Sequence, residues 1–183
     1  MTIHSENLKK STESYFDYGV LLPLNSVKHF SNHIMESSDG EHWKHSGWSG
    51  DFGEPYRHWC KFPEFNGVYQ EIWDFIEPDF DIRGLRPERV IVNAYNHGDS
   101  SWLHKDSERP DHWTVIVYLN DSWNMNWGGE TILTGDGGDI IHSAFPFPGR
   151  VILFDGRILH GPRPVSREAP FPRLGVAFQC IKT

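Results

Sequence analysis

Cysteine, net positive charge and long apolar runs are all scarce in this chain of 183 residues. Its two cysteines are too few for the disulfide framework of a small secreted protein. Lys and Arg total 17 against 25 Asp and Glu, a formal charge of −8, which excludes the basic surface of a typical nucleic-acid-binding protein. The longest apolar run, Val115 to Leu119, is too short to span a bilayer, and the N-terminus lacks the apolar segment of a signal peptide. The sequence therefore predicts a cytoplasmic protein that binds neither nucleic acid nor membranes.

Aromatic residues, by contrast, are plentiful, because they make up 14% of the chain and include 8 tryptophans. This composition excludes intrinsic disorder and supplies enough apolar surface for a core without disulfides. The length is typical of one domain. We therefore expect residues 1–183 to form a single domain, with helical support and loops in residues 1–87 and a β-rich core in residues 88–183.

Hydrophobic periodicity predicts two helices in the first half of the chain. Residues 27–34 repeat at helical spacing after a candidate N-cap at Asn25-Ser26, and residues 65–76 repeat more strongly. Residues 38–62, between the two helices, are predicted to form an irregular loop. The second half contains short β-branched and aromatic runs, which are typical of a sandwich or barrel with helices outside it. The predicted strands are 90–92, 113–119, 131–133, 150–154 and 174–181.

His104-Lys-Asp106 is the first candidate for metal chemistry. Residues i and i+2 of a strand project to the same face, so this spacing lets both side chains reach one metal ion. His160 follows a predicted hairpin over residues 150–159, with its turn at Asp155-Gly156. Two imidazoles and one carboxylate leave three octahedral positions open, as in non-haem Fe(II) oxygenases. A His-x-Asp pair alone is common by chance, so the neighbouring motifs decide the interpretation.

The neighbouring motifs stand in a characteristic order around this pair. They are Asn93-Ala-Tyr-Asn-His-Gly98, Thr114-Val-Ile-Val-Tyr-Leu-Asn120, Gly128-Gly-Glu-Thr131, Phe147-Pro-Gly-Arg-Val-Ile-Leu-Phe154, His160-Gly-Pro-Arg-Pro-Val165 and Arg173-Leu-Gly-Val-Ala-Phe178. Over roughly residues 89–181 the chain resembles the prolyl-4-hydroxylase-like branch of the 2-oxoglutarate- and Fe(II)-dependent dioxygenases. The resemblance implies a mainly β fold with flanking helices, the double-stranded β-helix or cupin-like jelly roll, with residues 88–183 as its catalytic core.

The resemblance also implies roles for individual residues. His104, Asp106 and His160 match the iron ligands of the family. Arg173 matches the residue that pairs with the far carboxylate of 2-oxoglutarate, a role that a planar guanidinium fills well, and Arg167 is its rival. The other residues expected at the cosubstrate are Tyr118, which matches a hydroxyl donor to that carboxylate, with Tyr95 and Asn93. Both tyrosines can equally be core aromatics with a satisfied hydroxyl group.

Two other activities of the superfamily are disfavoured by the sequence. Its nucleic-acid demethylases carry a second arginine six residues after the cosubstrate arginine, where this chain has Gln179, and the chain is acidic. Its halogenases replace the carboxylate ligand by a small residue, whereas Asp106 is present here. Hydroxylation is therefore the expected reaction.

The resemblance implies hydroxylation of an unactivated C–H bond with Fe(II), 2-oxoglutarate and O2, release of succinate and CO2, and ascorbate as a candidate reductant. A prolyl residue in a peptide is the preferred substrate, and a free amino acid or small metabolite is the alternative. A non-catalytic, metal-binding cupin-like module is the alternative of another class. The sequence leaves the oligomeric state open. Arg163, Trp123 and Trp127 are the candidate substrate residues, although the two tryptophans can equally pack on the outer helices.

Overall fold

Two antiparallel sheets and two α-helices make up the computed structural model, which describes residues 10–12, 14–36, 42–45, 58–99 and 101–183. The helices are α1 (Leu24–Met35) and α2 (Gly67–Ile76), with short 3-10 helices at Glu77–Asp79 and Met125–Trp127. The strands are β1 (Lys10–Thr12), β2 (Tyr15–Val20), β3 (Lys44–His45), β4 (Trp59–Lys61), β5 (Leu85–Tyr95), β6 (His112–Tyr118), β7 (Thr131–Thr134), β8 (Ile140–Ala144), β9 (Arg150–Asp155), β10 (His160–Pro162) and β11 (Arg173–Lys182).

The large sheet has the strand order β1-β2-β9-β6-β11-β5-β4-β3, and the small sheet has the order β10-β7-β8. Strand β6 lies near the centre of the large sheet and is apolar because both of its faces are covered. Val115 and Val117 pack toward the helices, whereas Tyr118 packs against Leu133 of the small sheet. The sheets thus face each other with the helices outside the large one. This arrangement confirms the predicted mainly β jelly roll with flanking helices.

Both predicted helices are present, but each begins at a different residue from the one expected. Helix α1 follows Pro23, whose backbone is extended, so its N-terminus precedes the predicted cap at Asn25-Ser26. Helix α2 follows Asn66, and Phe65 lies before it with its ring against Trp73. Within the described ranges, neither helix is long and apolar enough to cross a membrane.

Strands in the first half of the chain correct the prediction that residues 1–87 supply only helices and loops. Strand β2 pairs with β9, and β4 pairs with β5, so these segments extend the large sheet on both sides. Strands β3 and β4 fall within the predicted loop 38–62, of which residues 38–41 and 46–57 lie outside the described residues. They have two and three residues, which is too short for an alternating pattern to be recognised.

The predicted hairpin over residues 150–159 is wrong, because β9 and β10 lie in different sheets. Strand β9 pairs with β2 and β6, whereas β10 pairs with β7. The turn at Asp155-Gly156 therefore carries the chain from one sheet to the other. Asp155 stabilises this turn by accepting hydrogen bonds from the backbone N–H and the guanidinium of Arg157. As a result, His160 lies directly opposite His104.

Candidate active site

Three side chains converge at the entrance to the space between the sheets. His104, Asp106 and His160 each offer one ligand atom, and these atoms lie within 4.8 Å of one another. Oδ1 of Asp106 is 3.6 Å from Nε2 of His104, and Oδ2 is 3.5 Å from Nε2 of His160. This is the predicted metal triad, and the described residues contain no second group of this kind.

The backbone positions the triad in a way that the sequence did not predict. His104 and Asp106 lie outside the regular strands, so strand alternation is not what aligns them. Instead, His104 and His160 exchange two backbone hydrogen bonds of 2.9 Å, which fix their side chains next to each other. The backbone N–H of Asp106 donates to the carbonyl of Gly156 at 3.0 Å, so the turn after β9 also holds the carboxylate.

Hydrogen bonds orient all three ligands toward a common centre. Nδ1 of His104 lies 2.9 Å from the carbonyl oxygen of Trp102, and Nδ1 of His160 lies 2.9 Å from that of Ile158. Donation from each Nδ1 leaves each Nε2 with a lone pair for a metal. Burial lowers the pKa of His160, which favours the neutral imidazole that coordination requires. The donor set fits Fe(II), which two imidazoles and one carboxylate hold in the facial triad.

Thr114 was not predicted as a site residue. Its Oγ1 donates a 2.6 Å hydrogen bond to Oδ2 of Asp106. The sequence does indicate its position, because Thr114, Ile116 and Tyr118 are alternate residues of β6 and therefore share one face of the strand. The sequence did not identify it as a site residue because Thr114 begins an apolar run that is typical of a buried strand.

A cavity of about 520 Å³ opens beside the triad, and this volume is typical of small-molecule sites. Its wall is formed by one face of β5, β6 and β11 together with the end of β4. On β11 the face consists of Arg173, Gly175, Ala177 and Gln179. Gly175 and Ala177 have little or no side chain, so the centre of this wall stays open.

Arg173 lines the cavity as a buried cation. Its side chain is 4% exposed, and Nε and Nη2 donate to the carbonyl of Gly129 and to Oγ1 of Thr131, both at 2.8 Å. Among the described residues no carboxylate lies within ion-pair distance of it. Nη1 lies 3.8 Å from the position that a Cβ on Gly175 would occupy, so this glycine leaves space before the guanidinium. A buried, unpaired cation is costly, and an anionic ligand in the cavity would offset that cost.

Tyr118 lies behind Arg173 rather than in the cavity wall. Its hydroxyl donates to Oγ1 of Thr131 at 2.7 Å, and the guanidinium of Arg173 lies 5.0 Å from its ring centroid. Thr131 therefore accepts hydrogen bonds from both residues and couples their positions. Burial raises the pKa of Tyr118, so its hydroxyl stays protonated.

Tyr95 and Asn93 line the cavity, as expected, and both contact His58, which the sequence did not single out. The rings of Tyr95 and His58 stack with centroids 4.5 Å apart, and Nε2 of His58 lies 3.0 Å from Oδ1 of Asn93. Burial raises the pKa of Tyr95 to about 12 and lowers the pKa of His58. This side of the cavity is therefore uncharged at neutral pH.

The remaining predicted residues do not line the main cavity. The guanidinium of Arg167 is exposed and pairs with Glu168 at 3.2 Å, so Arg167 is not placed as an anchor. Arg163 lines an adjoining, smaller pocket of about 160 Å³, which shares Tyr95, Ser101 and Pro162 with the main cavity. Trp123 and Trp127 pack edge-to-face with centroids 5.4 Å apart, and Nε1 of Trp123 donates to the carbonyl of Gly128. The two tryptophans therefore pack against each other and against the ring of Phe171, and neither lines the cavity.

Comparison with known proteins adds a family and a set of similar folds. Residues 90–178 match the family described as the 2OG-Fe(II) oxygenase superfamily. A prolyl-4-hydroxylase from Pseudomonas putida is 15% identical, with 94% of each chain covered and a TM-score of 0.69. A Trichoplax adhaerens prolyl hydroxylase, solved with a hypoxia inducible factor oxygen degradation domain peptide, is 16% identical, with 93% of this chain and 84% of that chain covered and a TM-score of 0.68.

A third similar structure contains the cosubstrate. HygX from Streptomyces hygroscopicus, solved with nickel and 2-oxoglutarate bound, is 16% identical, with 93% of this chain and 83% of that chain covered and a TM-score of 0.64. A comparison with curated protein sequences gives no match. At these identities the similarity establishes a shared fold.

Proposed function

We propose that the chain is a 2-oxoglutarate-dependent dioxygenase of the 2OG-Fe(II) oxygenase superfamily, whose family description matches residues 90–178. It would use Fe(II), 2-oxoglutarate and O2 to hydroxylate an unactivated C–H bond. One observation carries the proposal. The candidate metal triad and the buried guanidinium of Arg173, which pairs with no carboxylate of the described residues, open onto the same cavity. A keto acid with a second carboxylate is a ligand that can satisfy both.

His104, Asp106 and His160 are the residues that would hold the iron. Fe(II) bound there supplies open coordination positions for the keto acid and O2, whose joint consumption yields succinate, CO2 and a hydroxylated product. Retention of Asp106 supports hydroxylation, because the carboxylate keeps its coordination position occupied by the protein.

The protein's own groups bind and orient the cosubstrate. The guanidinium of Arg173 pairs with the carboxylate farthest from the metal, and Thr131 holds that guanidinium in place. Tyr95 remains protonated next to it, because its pKa is about 12. The apolar floor of Ile91, Ile116 and Ala177 keeps water away from the space between Arg173 and the triad.

The substrate is proposed to be a prolyl residue in a peptide or a small molecule. The peptide is supported by the fold shared with two prolyl hydroxylases, one of which was solved with a peptide. A small molecule is supported by the cavity volume of about 520 Å³, which is typical of small-molecule sites.

Anaerobic spectroscopy tests this function directly. Purified protein with Fe(II) and 2-oxoglutarate should develop a weak visible charge-transfer band that neither gives alone, because the keto acid chelates a ferrous ion at an open site. Asp106→Ala should abolish the band and iron-dependent succinate release while leaving the fold intact. Retained turnover in this variant, or tight Fe(II) binding without a band in the wild type, would contradict the assignment.

The role of Arg173 is tested on the same samples. Arg173→Gln should raise the 2-oxoglutarate concentration for half-maximal band intensity about 10- to 100-fold, because a charge-assisted hydrogen-bond pair is lost. Arg167→Gln is the matched control and should leave this concentration unchanged. The opposite pattern would assign the anchor to Arg167.

A further inference from the structure

A second arginine lies at the outer end of the cavity. Arg89 projects from β5 into the cavity wall, and its guanidinium lies 4.8 Å from the ring centroid of Phe62. In the described part of the chain no carboxylate lies within ion-pair distance of Arg89. Two other exposed arginines are paired: Arg86 with Glu88 at 3.4 Å and Arg109 with Asp111 at 2.6 Å. In a chain with a formal charge of −8, an arginine left unpaired at a cavity is available to a ligand.

Strand register places Arg89 in line with the metal triad. Gln179 of β11 is the direct cross-strand partner of Arg89 on one side and of Thr114 on the other. Thr114 in turn donates its hydrogen bond to Asp106. Adjacent strands are spaced by about 4.8 Å, so the Cα atoms of Thr114 and Arg89 are roughly 10 Å apart. A small molecule whose reacting carbon lies near the triad can therefore reach the guanidinium of Arg89.

Arg89 and Arg173 lie toward opposite ends of the cavity wall. Arg173 lies six residues along β11 from Gln179, a separation of about 20 Å between Cα atoms at strand rise. Because the proposed function assigns Arg173 to the cosubstrate, Arg89 is left to bind a second ligand. Lys105, the other cation in this part of the wall, is neutralised by Glu108, whose two carboxylate oxygens lie 3.2 Å from its Nζ.

We propose that Arg89, with Gln179 beside it and Phe62 against its guanidinium, binds a carboxylate of the primary substrate. The inference rests on the proposed function and specifies its substrate class as carboxylate-bearing molecules. A planar guanidinium accepts a carboxylate through two parallel hydrogen bonds, and the local cation offsets the repulsion of the acidic protein for an anion. The carboxylate can belong to a free amino or organic acid or to an acidic residue of a peptide.

Fluorine NMR of a simple aromatic carboxylate tests this proposal without knowledge of the natural substrate. The probe is 4-fluorobenzoate, added to protein loaded with Mn(II) and saturating 2-oxoglutarate so that Arg173 is already occupied. We expect binding with manganese-enhanced relaxation of the fluorine signal, because the site lies near the triad. The uncharged 4-fluorobenzamide should bind much more weakly.

Variants identify the binding group. Arg89→Gln should weaken 4-fluorobenzoate binding about tenfold, as expected for the loss of one charge-assisted contact. Arg86→Gln, an exposed arginine of the same strand, should leave it unchanged. Thermal unfolding verifies that both variants fold. Equal binding of the acid and the amide, equal binding by wild type and Arg89→Gln, or no binding at millimolar probe would each overturn the inference.

Two further measurements separate the possible failures. The Fe(II) and 2-oxoglutarate charge-transfer band is recorded on each preparation, so failed probe binding with an intact band overturns the inference alone. Absence of the band contradicts the proposed function instead. Competition against the probe then distinguishes the carboxylate sources: stronger displacement by free L-proline assigns a small molecule, and stronger displacement by an amidated peptide containing proline and glutamate assigns a peptide.

Discussion

Single polar groups decide how precisely the candidate iron site is built. Asp106 can rotate its carboxylate among several positions, and the 2.6 Å hydrogen bond from Thr114 selects one of them. Groups that orient metal ligands in this way commonly change metal affinity by a factor of 10–100 when they are removed. Thr114 is therefore a positioning residue rather than a ligand.

Thr114→Val tests this role at the scale of one residue. The substitution keeps the β-branched shape and removes the hydroxyl, so we expect Fe(II) affinity to fall about tenfold with little loss of stability. Metal titration followed by intrinsic tryptophan fluorescence under anaerobic conditions measures the affinity. Thr183→Val, which removes a hydroxyl bonded to the carbonyl of Gly84 far from the site, is the control. Unchanged metal affinity in Thr114→Val would show that Asp106 is oriented by the backbone alone.

At the scale of elements, Gly149 joins three segments of the fold. Its carbonyl accepts hydrogen bonds from the backbone N–H groups of Leu21 and Leu22, between β2 and α1. Its own N–H donates to the carbonyl of Tyr118 at the end of β6. Its φ is +74°, and an added Cβ would lie 2.2 Å from the backbone oxygen of Leu22. Only glycine fits this junction.

Gly149→Ala should therefore lower the free energy of unfolding by about 3 kcal/mol or more. The added Cβ forces backbone atoms to move, and the positive φ is strained for alanine. Gly138→Ala is the matched control, since Gly138 has a φ of +84° but nothing within 4 Å of an added Cβ. It should cost only about 1 kcal/mol. Urea unfolding measures both. Similar losses in the two variants would mean that φ strain, and not the contact with Leu22, makes Gly149 necessary.

At the scale of the whole molecule, a buried ion cluster ties the two sheets together. Asp17 of β2 pairs with Arg150 of β9 within the large sheet and lies 2.9 Å from Nε2 of His142, on β8 of the small sheet. Burial by itself would raise the pKa of Asp17, but hydrogen bonds from His142 and Arg150 and the charge of Arg150 outweigh it and hold the pKa far below its usual value of 3.8. The carboxylate is therefore ionised throughout the physiological range.

This depressed pKa predicts a stability that decreases in acid. The unfolded chain protonates Asp17 near its usual pKa and the folded chain does not, so the contribution is complete above about pH 5 and is lost as the pH falls toward the folded pKa. Asp17→Asn should lower the free energy of unfolding at pH 7 by about 3 kcal/mol, because Arg150 keeps its charge without a partner. It should also flatten the dependence between pH 5 and pH 3.

Urea unfolding at several pH values measures this dependence. Asp136→Asn, at an exposed turn position, is the control and should retain the wild-type slope. A wild-type slope in Asp17→Asn would mean that other carboxylates cause the acid sensitivity.

The sequence by itself determined the chemistry and most of the secondary structure. The triad residues and Arg173 were predicted from motif order, because metal and carboxylate recognition restrict the residue types that can occupy those positions. Strands β6, β9 and β11 and the centre of β5 were visible because buried strands contain short runs of apolar or β-branched residues. These signals are local in the chain.

Only the tertiary structure decided how those residues come together. The pairing of His104 with His160 depends on β9 and β10 lying in different sheets, which no local pattern distinguishes from a hairpin. Short strands such as β4, and the alignment of Arg89 with Thr114 across β11, follow from strand register. For Trp123 and Trp127, the sequence alone did not distinguish packing in the core from contact with a substrate, because aromatic side chains serve both roles. Register and burial are set by long-range contacts, and their free energies belong to the assembled fold rather than to any segment of the sequence.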